Sequence, residues 1–302
     1  MKRIKIGYFA DGLWAYESFG KLVSDNSLEI CFICVRNDHK DPMLIECGIK
    51  YNIDVIWSEN INSKEFIQKV MEYKVDLFVS MSFNQIFKSE MINLPLLKTI
   101  NCHAGKLPFY RGRNVLNWVL INDEREFGVT VHYVDDGIDT GDIILQRTYD
   151  ISDNDDYGTL LQRASIACAD ILYDAIKSIQ NGTNECIRQS EIDAIGMYCG
   201  RRMEGDEIID WNQNSRKVFN FVRAICKPGP RAVSFLGKNK VFINKVRMVE
   251  GAHTYIGIPG QILGKTTDGW FVKTADSIIE IIEYDSESTM RVGGRLKMRP
   301  EI

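Results

Sequence analysis

Five short apolar runs alternate with helix-length segments over the first hundred residues, and this alternation restricts the architecture more than any other feature of the chain. The runs are Ile4–Phe9, Leu28–Val35, Asp54–Trp57, Asp76–Met81 and Lys98–Asn101, with Leu13–Ser24 and Lys64–Tyr73 among the helical segments between them. Helices interposed between short apolar strands indicate an α/β fold: a mostly parallel sheet covered on both faces. After Arg113, "NVLNWVLIN" reads as a helix, and Gly128–Val134 and Asp142–Asp150 as two alternating strands. A long helix then spans Tyr157–Gln180, with Leu160, Leu161, Ile166, Ile171 and Ile176 at apolar positions. Asn181-Gly182 marks its stop.

The character of the chain then changes. Residues 183–205 are polar and contain glycine, which predicts a linker. A helix over Ser215–Ile225 precedes Lys-Pro-Gly-Pro and a series of short runs: "AVSFLG", "KVFINKVRMV", "GQILGK", "GWFVKT" and "SIIEIIEY". Short strands with turn signals between them suggest a small barrel or sheet. Two domains are expected, 1–200 and 201–302, and 45% hydrophobic content is enough to pack a core in 302 residues.

Charge and cysteine usage exclude several classes. Residues 201–302 carry 17 Lys/Arg against 12 Asp/Glu, whereas residues 1–200 carry 20 against 29. An acidic larger part argues against a broad nucleic-acid footprint, which depends on neutralising phosphates. The mildly basic tail suits one or two phosphates of a small ligand. No run approaches the roughly 18–20 apolar residues needed to span a membrane. The opening "MKRIKIGYFADG" reads as a first strand rather than a signal peptide, because Lys5 and Asp11 interrupt it. The eight cysteines lie among apolar neighbours, and the one CxxC, Cys31 and Cys34, falls inside a strand-like run. Reduced core cysteines in a soluble, cytoplasmic protein are the expectation.

A doubly wound sheet raises the question of a dinucleotide. The first βα turn, "GYFADGLWAYESFG", lacks GxGxxG, and no P-loop pattern occurs. Trp14 and Tyr16 follow the first strand, placed either to stack on a base or sugar or to pack the first helix.

The stretch "INCHAGKLPFYRGR" is richer in chemistry. Asn101 and His103 project to the same side of a strand end, since side chains alternate along a strand. An amide there can donate to a developing oxyanion while an imidazole handles a proton. On its own this pair reads more readily as a satisfied histidine at a strand end. Some thirty residues later "VHYVDDGIDTGDII" ends a strand in a loop dense with carboxylates and glycines. Its Asp139 could orient and charge-stabilise His103, while Asp135, Asp136 and Asp142 fit ordinary turn and surface roles as well.

Together these segments, "NCHAGKLPFYRGRNVLNWVLINDEREFGVTVHYVDDGIDTGDIILQ", resemble the core of the formyltransferases that use N10-formyltetrahydrofolate. The shared features are Asn-x-His, Leu-Pro-x-Tyr-Arg-Gly, Gly-Val-Thr and Asp-x-Gly-x-Asp-x-Gly, in order and at preserved spacing. The resemblance covers residues 1–180. It continues more weakly through "DEIIDWNQNSRKVFNFVRAI", which is similar to the start of the extra domain of the tRNA enzymes and some sugar enzymes. It implies a Rossmann-like sheet flanked by helices and an OB-like C-terminal barrel. It further implies that Asn101, His103 and Asp139 are the catalytic set, transferring a formyl group to a primary amine without a metal. The folate would lie along Ser80–Lys88 (Met81, Phe83, Asn84, Gln85 and Ile86) and against the later loop (Asp135, Gly137 and Asp142).

Three acceptors compete. The glycinamide ribonucleotide enzymes are usually single-domain. The methionyl-tRNA enzymes fit the length, but the acidic balance and the "YRGRNVLNWVLIND" variant resemble the nucleotide-sugar branch more closely. Trp14, Lys106, Tyr110, Arg111, Arg113 and Asn114 are the expected substrate-side residues, with the planar fork of Arg113 suited to a diphosphate. The expected acceptor is a 4-amino-4,6-dideoxyhexose on dTDP or UDP, used in surface glycan synthesis. A tRNA acceptor, a non-catalytic folate- or sugar-nucleotide-binding module and hydrolysis of the formyl-folate are the alternatives. A homodimer is expected by analogy.

Overall fold

The computed structural model describes residues 3–301. Met1, Lys2 and Ile302, which the expected strand start and domain bounds take in, lie outside the described residues. The chain begins β1 (Ile4–Ala10), α1 (Gly12–Val23), β2 (Leu28–Cys34), α2 (Pro42–Tyr51), β3 (Asp54–Ile56), α3 (Lys64–Met71) and β4 (Leu77–Met81). It continues through α4 (Ser89–Ile92), β5 (Thr99–His103), β6 (Arg111–Gly112), α5 (Val115–Ile121), β7 (Glu126–Tyr133) and β8 (Ile143–Asp150). Next come α6 (Tyr157–Asn181), α7 (Gln189–Ile192), β9 (Tyr198–Cys199) and α8 (Ser215–Ile225). The last strands are β10 (Ala232–Leu236), β11 (Asn239–Met248), β12 (Ile262–Lys265), β13 (Trp270–Lys273), β14 (Ile278–Ser286) and β15 (Leu296–Lys297).

The chain packs as two compact units. The first runs up to Gly112 and resumes over Phe127–Tyr149 and Gln162–Cys199. Its sheet has seven strands in the order β3-β2-β1-β4-β5-β7-β8. The β1 to β5 pairings are parallel, and β7 joins β5 antiparallel. This is the expected Rossmann-like layout with an antiparallel margin. Because both faces are covered, β4 is buried along its whole length. Phe9 in β1 is the hub of the core on one face. Its ring meets Phe32, Phe78, Phe83 and Phe87 at centroid distances of 5.6, 5.1, 5.5 and 4.9 Å, mostly edge to face. Strand order reverses between β1 and β4, so the crevice beyond their carboxyl ends is where a ligand of an open α/β sheet sits.

Local signals explain the element ends. Asp41 caps α2, accepting from the Met43 and Leu44 N–H groups, with Pro42 in its first turn. α6 stops at Asn181 because Gly182 turns left-handed, at φ +65°.

The second unit takes Arg113–Glu126, Asp150–Leu161 and the chain from Gly200 onward. Six strands in the order β12-β13-β14-β11-β10-β15 form a curled antiparallel half-barrel, the OB-like form expected. α8 is tied to the two earlier segments by charge. Arg216 bonds Asp123 and Asp153, and buried Arg223 donates to the Ser152 and Asp155 carbonyls at 2.7 and 3.1 Å.

The stretch expected to be a linker is more than that. Within 183–205 lie α7 and β9, and β9 pairs in parallel with β6. Among the described residues, no helix is long and apolar enough to cross a membrane.

Candidate active site

β5 and β7 set the geometry. Their antiparallel register places Asn101 opposite His132 and His103 opposite Thr130. Directly opposed residues share a face of the sheet with Cβ atoms about 5 Å apart. Asn101 Nδ2 accordingly donates to His132 Nε2 at 3.2 Å. His132 can accept there because its Nδ1–H is committed to the Tyr133 carbonyl, at 2.7 Å.

His103 is 8% exposed, and its Nε2–H donates to the Tyr110 carbonyl at 2.7 Å. The loop making that contact has little freedom. A Cβ on Gly105 would stand 2.5 Å from His103 Nε2 and 2.6 Å from the Tyr110 oxygen, so only glycine fits under this hydrogen bond. Thr130 Oγ1 donates to the Gly105 carbonyl at 2.7 Å, and Gln146 Nε2 donates to both Thr130 Oγ1 and the Leu107 carbonyl at 2.8 Å.

Asp139 completes the arrangement. Its Oδ2 lies 3.6 Å from His103 Nδ1 and its Oδ1 lies 3.6 Å from His132 Nε2, so one carboxylate faces two imidazoles. The Gly112 N–H also donates to Oδ2, at 2.8 Å. Burial alone would push the Asp139 carboxyl up, but His103, His132 and the Gly112 N–H outweigh it and hold the group well below the usual carboxylate range. Asp139 is therefore an anion between two rings whose outward nitrogens point at it. Asn101, His103 and Asp139, singled out in the sequence, are brought together. His132 was missed. The signal was available in the alternation of "VTVHY", but its use required knowing that this strand pairs antiparallel with β5.

The residues expected on the folate side divide. Asp135 and Asp142 line a cavity of about 280 Å³ together with Ser89, Ile92, Lys98 and Tyr133. Asp135 also shapes its own loop, accepting from the Gly137 N–H and from Thr140 Oγ1. Met81 is buried at the end of β4, and Phe83 packs on Phe9 and Phe87. Gln85 bridges the Ile61 N–H and the Ser58 carbonyl, while Ile86 is 68% exposed. Asn84 donates to Asp38, yet its buried Oδ1 has no partner. Met81 and residues 83–86 do not line the cavity.

The substrate-side residues divide too. Trp14 lies partly exposed in α1, and Lys106 crosses over Gly128, whose missing Cβ makes room for it. Tyr110 is buried at φ +57°, with its carbonyl on His103. Arg111 is 7% exposed and turned inward. Its Nε and Nη2 donate to Gln189 Oε1 at 3.0 and 2.7 Å, and its Nη1 donates to the Ile195 carbonyl and the Tyr198 hydroxyl at 3.3 Å. A guanidinium so committed holds the loop rather than meeting a phosphate. Arg113 and Asn114 fall in the second unit, both exposed, and Asn114 Oδ1 accepts the Arg202 N–H at 3.0 Å. Among the described residues, no group of three or more His, Cys, Asp or Glu side chains converges as metal ligands would.

Comparison with known proteins assigns the architecture. Residues 38–176 match the family described as Formyl transferase, and residues 203–296 match Formyl transferase, C-terminal domain. The chain belongs to the formyltransferase family. Among curated relatives of this formyltransferase, the methionyl-tRNA formyltransferase of Ruminiclostridium cellulolyticum is 31% identical over 253 residues, 83% of this chain and 80% of that protein. The corresponding Staphylococcus aureus (strain MW2) protein is 31% identical over 257 residues, 85% of this chain and 79% of that protein. Among solved structures, WlaRD, a sugar 3N-formyl transferase crystallised in the presence of dTDP and 5-N-formyl-THF, superposes with a TM-score of 0.69 at 20% identity. That match covers 96% of this chain and 100% of WlaRD. An N-formyltransferase from Helicobacter canadensis, in complex with folinic acid and dTDP-3-aminofucose, gives 0.63 at 21% identity over 94% of this chain and 100% of its own. At these identities the two structures establish the fold.

Proposed function

We propose that this formyltransferase moves a formyl group from N10-formyltetrahydrofolate to the primary amine of a nucleotide-linked amino-dideoxy sugar. The observation that carries the chemistry is the Asp139 carboxylate held between His103 and His132 with the Asn101 amide alongside. The folate supplies an activated formyl carbon. Attack by the amine forms the new C–N bond and moves an electron pair onto the formyl oxygen. Collapse then breaks the bond to folate N10, which departs with a proton equal to the one the amine gives up.

Each side chain has a distinct part in this. One N–H of the Asn101 amide is on His132, and the other is the donor for the oxyanion, a contribution worth about 10²–10³-fold in comparable sites. His103 turns Nδ1, the ring nitrogen not bonded to Tyr110, toward Asp139, while His132 Nε2, equally close to the carboxylate, accepts from Asn101. A proton arriving at His103 Nδ1 converts that approach into a charge-assisted contact, so the cluster can hold the amine proton until N10 takes it. The remaining polar groups suit a folate. The cavity beside the Asp135–Asp142 loop offers carboxylate acceptors to the donor-rich amino-pyrimidinone edge.

For the acceptor, the acidic balance of residues 1–200 disfavours a polyanion the size of tRNA. The two solved enzymes above are both sugar-directed, each named with a dTDP ligand and each named for a sugar nitrogen at C3. The variant loop around Arg113 favours a 4-amino-4,6-dideoxyhexose on dTDP or UDP. A methionyl-tRNA acceptor is favoured by the 31% identity to the curated relatives. The test is tetrahydrofolate release monitored by absorbance, with and without amine acceptors. Release that requires an acceptor is expected. No release with any acceptor would indicate a binding module, and release with formate and no amine would indicate hydrolysis.

A further inference from the structure

We propose that Gln189 is the positioning residue for Asp139 and that Arg111 acts through it, a role resting on the reading of Asp139 as the anion of the proton-holding cluster. Gln189 opens α7, in the stretch whose polar composition suggests only a linker, and is 3% exposed. Its Oε1 accepts two N–H groups from Arg111, and its Nε2 donates to the Asp139 and Gly141 carbonyls at 2.8 Å each. Both ends of the amide are saturated. Among side chains of this length, only a neutral amide accepts from a guanidinium and donates to two carbonyls at once.

The target is a strained residue. Asp139 sits at φ +55°, a left-handed conformation that Asp adopts more readily than most non-glycine residues but that its surroundings still have to hold. Two grips do so. Gln189 fixes the Asp139 carbonyl, and the Gly112 N–H fixes its carboxylate. Gly112 follows Arg111 in β6, and Arg111 is bound to the other end of the same amide. The backbone and the side chain of Asp139 are thus both referenced to one buried group, which sets the carboxylate against His103 and His132.

A role confined to gluing α7 in place makes a different demand. Glutamate at this position keeps the acceptor for Arg111 and adds an ion pair, so simple glue survives Gln189→Glu. Positioning does not survive it, because a carboxylate has no donor for the two carbonyls and sets negative oxygens against them.

The full-length protein with 15N-labelled histidine gives a readout independent of any acceptor, since the chain has only four histidines. In Gln189→Glu, the His103 and His132 ring nitrogen resonances are expected to move toward those of Asp139→Asn, with Tm within a few degrees of wild type. With N10-formyltetrahydrofolate and a dTDP-linked 4-amino sugar, kcat is expected to fall about 10²-fold, the scale of an ångström-sized misplacement, with both KM values nearly unchanged. Added to Asp139→Asn, the same substitution is expected to cost no further activity. Gln189→Met should match Gln189→Glu in kcat, and if it fails to fold, the glutamate variant decides. Wild-type ring resonances or wild-type kcat in Gln189→Glu would overturn the proposal, as would a fully additive loss in the double variant. Full activity in Asp139→Asn would instead remove the reading on which it rests.

Discussion

Asn101, His103 and Asp139 differ in what their loss should do. Asn101→Ala removes the proposed oxyanion donor and is expected to lower kcat about 10²–10³-fold. His103→Ala and Asp139→Asn break the proposed proton-holding cluster, and a loss of about 10²–10⁴-fold is expected for each. Circular dichroism should show all three folded, since none is part of the aromatic core around Phe9. Gly105→Ala is a sharper test, because it touches no reacting atom. Its methyl must displace His103 from the Tyr110 carbonyl, so activity should collapse as in His103→Ala, whereas a wild-type rate would show that the contact is dispensable. Asp139 also predicts a pH effect. Its carboxyl lies below its ordinary value of about 4 in the folded state, so its contribution to stability is present above that pH and is lost as pH falls through the lower, folded value. In urea melts, any stability advantage of wild type over Asp139→Asn should therefore narrow from about pH 4 downward. A gap constant across that range would contradict it.

Regular elements were legible where periodicity or a stop signal was strong. Ser215–Ile225 is a helix as expected, and α6 ends within a residue of the Asn181-Gly182 signal because Gly182 adopts the left-handed conformation. β5 runs two residues past the expected Asn101, which carries His103 into the sheet. Alternation within that one strand was enough to pair Asn101 with His103. It could not find His132, whose place depends on pairing between strands far apart in the chain. Gln189 was hidden for another reason: a buried amide in a four-residue helix leaves no hydrophobic period to read. Arg111, expected on the substrate side, has its guanidinium bonded to Gln189 and Tyr198. The α8 clamp predicts a contrast between two arginines. Arg223 is 6% exposed and serves two carbonyls, so Arg223→Met should cost about 2–4 kcal/mol in urea unfolding. Arg216 is more exposed, and Arg216→Ala should cost about 1 kcal/mol or less, diminishing further with salt. Equal costs would show that burial does not set the strength of this clamp.

Across the whole molecule, charge is the property that separates the acceptors. Residues 1–200 carry 20 basic against 29 acidic side chains, while those from 201 onward carry 17 against 12. A sugar nucleotide presents two phosphates, and a tRNA presents a continuous backbone whose binding falls steeply with rising salt, because the counterions that the protein releases then gain less entropy. Turnover on the true acceptor should therefore change only modestly between low and physiological salt. The family match spans both parts of the chain; the curated relatives are named for methionyl-tRNA and the solved enzymes for sugars. Mass spectrometry of the products formed from N10-formyltetrahydrofolate separates these acceptors, using dTDP- and UDP-linked 3-amino and 4-amino dideoxyhexoses alongside charged initiator tRNA. The expected result is a sugar nucleotide heavier by one formyl group, with the 4-amino sugar preferred in kcat/KM and the tRNA unmodified. Formylation of the tRNA alone would contradict it.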